Sequence, residues 1–191
     1  IALYFFSNFL SAIMLAITIL FYVVVYTIWL KQRTSQNIVI GGAAGAFPPI
    51  IGWSIATGNI TLEPIFLFLI IFFWTPSHFW ALALLKDDDY TEAGIPMLPV
   101  VVGKVKAARY TIINTLLLIP FSLVFVLLGF GYVYLVISII FGILLLYSNV
   151  KLLQNPNDKP TALKAFKYSS PYLAIIFVAL ILDLKFRFPI F

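Results

Sequence analysis

Six runs of predominantly apolar residues, each about twenty long, punctuate this sequence, and that is the length at which an α-helix crosses the hydrocarbon core of a bilayer. They fall near residues 9–29, 37–57, 64–85, 107–128, 132–153 and 162–184. Residues 1–6 read as the tail of a further helix, and Ser7-Asn8 as a turn. The stretches "TGN", "GFG" and "NPNDKP" are turn signals between later runs. The chain is 63% hydrophobic and 10% charged, whereas a soluble domain is nearer half apolar and a quarter charged. A membrane β-barrel would alternate apolar and polar residues instead. The expected fold is therefore all-α, a polytopic transmembrane helix bundle. The opening "IALYFFSNFL" has no basic leader, so it does not look like a signal peptide. It looks like a start inside a membrane segment, with N-terminal helices expected to be missing. The chain has no cysteine, which excludes disulfides and thiol chemistry.

The net charge of +5 is explained by topology. Counting connections in order, Lys31, Arg33, Lys86, Lys104, Lys106, Arg109, Lys151, Lys159, Lys164 and Lys167 share one face. Only Lys185 and Arg187 fall opposite. The positive-inside rule makes the crowded face cytoplasmic. No nucleic-acid partner is needed to account for the basic charge.

That face also carries "LLKDDDYTEAGIPMLP", residues 84–99. Asp87, Asp88 and Asp89 are either a solvated acidic turn or a magnesium site. Mg²⁺ prefers oxygen ligands and commonly takes one or two carboxylates plus substrate phosphates. Lys86 and other nearby cations would then contact phosphate oxygens. A second cluster, "YTIWLKQRTSQN" at 26–37, places Lys31, Arg33, Thr34 and Asn37 on the same face. It is a routine membrane anchor or, beside a metal loop, a diphosphate clamp.

His78 is the only histidine and lies inside the third run. Ionisable residues within a membrane helix are often functional, although a neutral His bonded to a neighbouring helix is the simpler account. Pro76 is expected to loosen that helix locally. If the helix ran on to residue 89, His78 and Asp89 would lie about 20° apart in angle and about 16 Å apart along one wall. "GGAAGAFPP" at 41–49 puts Gly41 and Gly45 at a spacing that favours close helix packing, and Pro48 and Pro49 should interrupt that span.

The runs "YTIWLKQRTSQNIVIGGAAGAFPPIIGW", "HFWALALLKDDDY" and "AGIPMLPVV" resemble the UbiA-type intramembrane prenyltransferase superfamily, nearest its haem-farnesylating members. The resemblance covers essentially the whole chain. It implies one transmembrane prenyltransferase domain over residues 1–191, the C-terminal two thirds of the family fold. It further implies two aspartate-rich motifs that hold Mg²⁺ and a prenyl diphosphate at the mouth of a central cavity. Asp88, Asp89 and Tyr90 match the second motif, with Asp87 beside them as a weaker candidate ligand. Lys31 and Arg33 match the family's basic stretch, with Gln32 departing from it. Asn37 and Lys86 complete the expected diphosphate set, and His78 is the candidate haem contact. The superfamily places another aspartate one helical turn beyond Asp89, where this chain has Ala93. The first aspartate motif is absent, so these residues alone are expected to be inactive.

The implied reaction joins farnesyl diphosphate to haem B, with a contact to haem A synthase possible. It would run in the cell membrane, or the mitochondrial inner membrane in a eukaryote. The rival within the fold is prenylation of a quinone precursor or chlorophyllide. A transporter should place carboxylates mid-membrane, and none of the seven acids lies there. A purely structural subunit would not need the aspartates and Lys31/Arg33 on one face.

Overall fold

Long apolar helices leave no backbone polar group facing lipid, which is why they dominate this chain. The computed structural model describes residues 2–186 and 190, with side chains from residue 4. Arg187, counted above on the sparsely charged face, lies outside the described residues. Among those described there is no strand, and six helical segments are long and apolar enough to span a membrane. The protein is a multi-pass membrane protein.

A short helix α1 (Ala2–Phe6) precedes α2 (Phe9–Leu20), which Asn8 caps by accepting from the Ser11 amide at 2.9 Å. The first span continues from α2 as a π-helical stretch, Phe21–Leu30. The wider register is visible in the bond from the Lys31 amide to the Tyr26 carbonyl, five residues back, at 2.9 Å. The second span is broken at Phe47 into α3 (Asn37–Ala46) and α4 (Pro48–Thr57), where Pro48 opens the new helix. Then come α5 (Leu62–Leu85), α6 (Asp87–Glu92), α7 (Leu98–Val102), α8 (Lys104–Leu127), α9 (Tyr132–Gln154) and α10 (Lys159–Phe186).

The helices α5, α8, α9 and α10 form a closed ring of four, each packed on the next. Helices α3 and α4 lie on the outside of α5, and the first span lies on them. In lipid no hydrophobic force drives helices together, so close approach and polar bonds must do it. Near the aspartate loop, Ala81, Ala107, Ala108, Ala162 and Ala165 are buried together and let the backbones approach. Mid-bundle, Ser77 Oγ lies 3.0 Å from Thr115 Oγ1, and Asn149 donates to that Thr115 oxygen at 2.7 Å. At the opposite end Asp183 of α10 accepts from the amides of Gly131 and Tyr134 at 2.6 and 3.1 Å. It thereby caps the start of α9.

One expectation, the reach of α5, is corrected here. Helix α5 is continuous through Pro76, and the nearby Phe73 carbonyl accepts from the Asn114 amide of α8. A neighbouring side chain thus serves the backbone where proline disturbs it. The same helix does not run on to Asp89. It ends at Leu85, Lys86 adopts φ −113° and ψ 24°, and α6 starts afresh at Asp87. His78 and Asp89 therefore do not share one helical wall.

Candidate functional site

Each of the three aspartates holds a different lysine. Asp87 Oδ2 pairs with Lys104 Nζ at 2.8 Å, Asp88 Oδ2 with Lys159 Nζ at 2.7 Å, and Asp89 Oδ2 with Lys86 Nζ at 2.9 Å. The three carboxylates occupy the first turn of α6, where the helix dipole favours negative charge. The lysines arrive from three places: the α5–α6 junction, the start of α8 and the start of α10. Gly103, at φ 83°, lets the chain turn straight from α7 into α8 and brings Lys104 onto Asp87.

The environments of the three differ. Asp88 and Asp89 side chains are mostly exposed, whereas that of Asp87 is only 13% exposed. Asp87 Oδ1 is sealed from solvent and has no hydrogen-bond partner among the described residues. Hydrogen bonding from Lys159, and then its charge, hold the Asp88 carboxyl below its ordinary value of 3.8.

The basic turn stands beside this loop. Ile38 of α3 is buried with Ala83 and Met97, against Tyr90 and Ile95 from either side of the loop's bend. Asn37, only 1% exposed, donates to the Lys31 carbonyl at 3.1 Å and so folds the turn onto α3. Its Oδ1 is buried without a partner among the described residues. Lys31 and Arg33 are exposed, and no acidic group among the described residues pairs with them. The structure thus joins Lys86 to the aspartates and sets Lys31, Arg33 and Asn37 alongside without direct contact.

His78 is buried in α5. Its ring is stacked between Trp74 and Phe166, each centroid 4.4 Å away. Nδ1 lies 2.6 Å from Ser169 Oγ, and that hydroxyl has the Phe166 carbonyl to donate to. The bond to a neighbouring helix matches the simpler of the two expectations for this residue.

Below the basic turn, a cavity of about 320 Å³ opens between the first span, α3 and α5. Tyr22, Tyr26, Ile38, Ile71, Trp74 and Phe79 line it with the glycines of α3. Those glycines do different things. A Cβ on Gly41 would lie 2.2 Å from the Tyr26 ring, and one on Gly42 would lie 3.0 Å from Thr75. One on Gly45 would meet nothing within 4 Å. The close packing expected of the Gly41/Gly45 pair falls on Gly41 and Gly42, while Gly45 opens onto the cavity.

Among the described residues no three His, Cys, Asp or Glu side chains converge on one point as a metal would require of an all-protein site. The loop suits a different arrangement, in which one or two carboxylates share a divalent cation with substrate phosphates. The orphaned Asp87 oxygen and the exposed carboxylates of Asp88 and Asp89 fit that donor chemistry.

The charge count groups all three lysines with the aspartates, but nothing in the sequence pairs Lys104 and Lys159 with particular carboxylates. Lys159 is 71 positions from Asp88, and only the count of spans brings it near.

The described residues thus form a membrane helix bundle with a mixed acidic and basic mouth above an apolar cavity. The chain belongs to the UbiA prenyltransferase family, whose profile matches residues 1–171. It is 50% identical over 190 residues to a protoheme IX farnesyltransferase of Pelagibacter ubique, covering 96% of this chain and 62% of the relative. It is 48% identical over 184 residues to one of Methylobacterium radiotolerans, covering 94% and 58%. A third, protoheme IX farnesyltransferase 1 of Cenarchaeum symbiosum, is 46% identical over 186 residues, covering 97% and 62%. The chain thus spans about three fifths of the length of these relatives. A solved structure from work on a membrane digeranylgeranylglyceryl phosphate synthase shares the fold, with TM-score 0.76 at 24% identity. That match covers 94% of this chain and 63% of the solved one.

Proposed function

We propose that these residues form the C-terminal part of a protoheme IX farnesyltransferase, which moves a farnesyl group from its diphosphate to a vinyl group of haem B. The observation that carries this reading is the loop at the bundle mouth, where three aspartates each carry a lysine beside a basic turn. Such a loop meets both needs of a metal-bound diphosphate. Carboxylates attract the cation, and ammonium groups attract the phosphate oxygens it leaves uncovered.

A bound divalent cation, which we take to be Mg²⁺, supplies electrostatic stabilisation of the leaving diphosphate. Asp88 and Asp89 are the residues placed to hold it, since both are exposed at the mouth. Lys86, Lys31 and Arg33 neutralise the charge that develops on diphosphate as the allylic C–O bond breaks. Asn37 fixes the shape of the basic turn through the Lys31 carbonyl. The farnesyl chain lies in the apolar cavity beneath, which excludes water from the allylic cation. The vinyl π electrons form the new C–C bond. Water adds to the resulting benzylic-type cation and loses a proton, leaving the hydroxyethylfarnesyl group of haem O. His78 lies in the wall of the bundle behind Trp74, and we assign it to the haem side of the site. The loop faces the cytoplasm by the distribution of Lys and Arg.

The test is a chimera in which this chain replaces the matching part of the Pelagibacter ubique relative, expressed in a host lacking haem O synthase. Haem extracted from its membranes is weighed by mass spectrometry. Haem O from the chimera, lost in Asp88→Ala and Asp89→Ala, supports the reading. Haem B alone from a well-expressed chimera overturns it in favour of a quinone precursor as acceptor.

A further inference from the structure

At the end of the bundle that carries the aspartate loop, α9 and α10 part to leave a second cavity of about 460 Å³. It has no part in the site above. Leu152, Ala162 and Ala165 of these helices turn inward to the buried core, and the cavity lies on the other, outward side. Its lining is layered by depth. Asn155 and Thr161 sit at the rim where the two helices are joined. Lys151 and Lys164 follow, about 5–8 Å from the helix ends at 1.5 Å rise per residue. Tyr147 and Tyr168 come next, about 10–14 Å in, with Leu144 of α9 beyond them.

This order is the profile of a bilayer interface, with cations at the headgroups, aromatics at the boundary and aliphatics below. Lysines at such a depth ordinarily snorkel outward separately. Here two of them, from different helices, open on one cavity. Lys151 Nζ lies over the Tyr147 ring at 5.6 Å. Ser148 lines the cavity too and is buried. The nearest acid in sequence, Asp158, is engaged by the amide and hydroxyl of Thr161 and caps α10. The cavity is therefore positive, and its volume falls in the range of about 300–1,000 Å³ typical of small-ligand sites.

We propose that this groove binds one anionic phospholipid, with its phosphodiester between Lys151 and Lys164 and an acyl chain laid along Leu144 between the two tyrosines. Basic pockets between membrane helices recognise lipid phosphates by this combination of ammonium groups and adjacent apolar wall. Free phosphate shares the headgroup chemistry but gains nothing from the tyrosines and Leu144. The site does not depend on the transferase reading.

The test is native mass spectrometry of the purified protein after exposure to equal amounts of phosphatidylglycerol and phosphatidylcholine. Wild type is expected to retain phosphatidylglycerol preferentially. The double variant Lys151→Gln/Lys164→Gln should bind it about thirtyfold more weakly, given the usual contribution of each cation at an anionic surface. Both lysines are exposed, so the variant should fold, and an unchanged melting temperature checks this. Lys106→Gln, an exposed lysine on α8 away from the groove, should keep the preference. Equal retention of both lipids, or an undiminished preference in the double variant, overturns the proposal. So does displacement of the lipid by excess inorganic phosphate, which would mark a free-anion site.

Discussion

Lys159, the first residue of α10, donates to Asp88 Oδ2 at 2.7 Å and ties the far end of the chain to the aspartate loop. Both partners are exposed, so the bond stabilises the fold little. Its effect is local, on the charge of the carboxylate. Asp88 is held below its ordinary value, so the contribution of this pair is present above the carboxylate's unfolded-state value. It is lost as pH falls through the lowered folded-state one. In Lys159→Gln, the Asp88 carboxyl should titrate higher, back toward the ordinary range. Carboxyl-carbon NMR of the labelled protein in micelles reads this directly. An unmoved titration in the variant would show that Lys159 does not set the charge of Asp88.

Asp87 plays a different part from its neighbours. It is the most enclosed of the three and faces Lys104, itself only 30% exposed. Neutralising it in Asp87→Asn strands a partly buried ammonium group, which should cost about 1–3 kcal/mol. Asp88→Asn and Asp89→Asn should melt close to wild type, since their lysines reach water freely. Thermal unfolding of the three variants in one detergent compares them. If all three melt alike, Asp87 has no special structural role.

Much of the fold was legible because the bilayer leaves few options. Span limits read from apolar runs fall within about three residues of the observed helices, and Phe47 breaks the second span beside the expected prolines. The errors came from local backbone chemistry and from long-range pairing. Nothing in "LLKDDDY" announces that Lys86 leaves the helical region, so the sequence is compatible with a wall joining His78 to Asp89 that the structure breaks at Lys86. The lysine partners of the aspartates were invisible for another reason. A charge count assigns residues to a face, but which lysine meets which aspartate depends on how α8 and α10 pack. Asp183 was also passed over, because a lone acid near a helix end carries no sign of the helix it caps.

Gly41 and Gly45 separate packing from open space on one helix. Gly41→Ala drives a methyl group into the Tyr26 ring and should cost about 1–3 kcal/mol, the usual range for overpacking. Gly45→Ala meets nothing and should shift stability by less than about 0.5 kcal/mol. Trimming the ring in a Gly41→Ala/Tyr26→Ala double variant should recover part of the loss, a coupling that a double-mutant cycle measures. Additive effects would mean that the ring and the new methyl group do not meet.

Asp183 is buried to 3% exposure, and its two oxygens serve two backbone amides at the start of α9. Asp183→Ala leaves the amides of Gly131 and Tyr134 unserved, at a cost near that of losing a strong helix cap, about 0.5–2 kcal/mol. Asp183→Asn is expected to do little better. Its amide nitrogen cannot accept, so it must turn a donor toward one of the same two N–H groups. Hydrogen exchange gives the sharper reading, because the loss is local. The Gly131 and Tyr134 amides should exchange faster in both variants, while those of mid-α9 around Leu145 keep their protection. Uniform acceleration along α9 would instead mean that Asp183 supports the whole helix rather than its first turn.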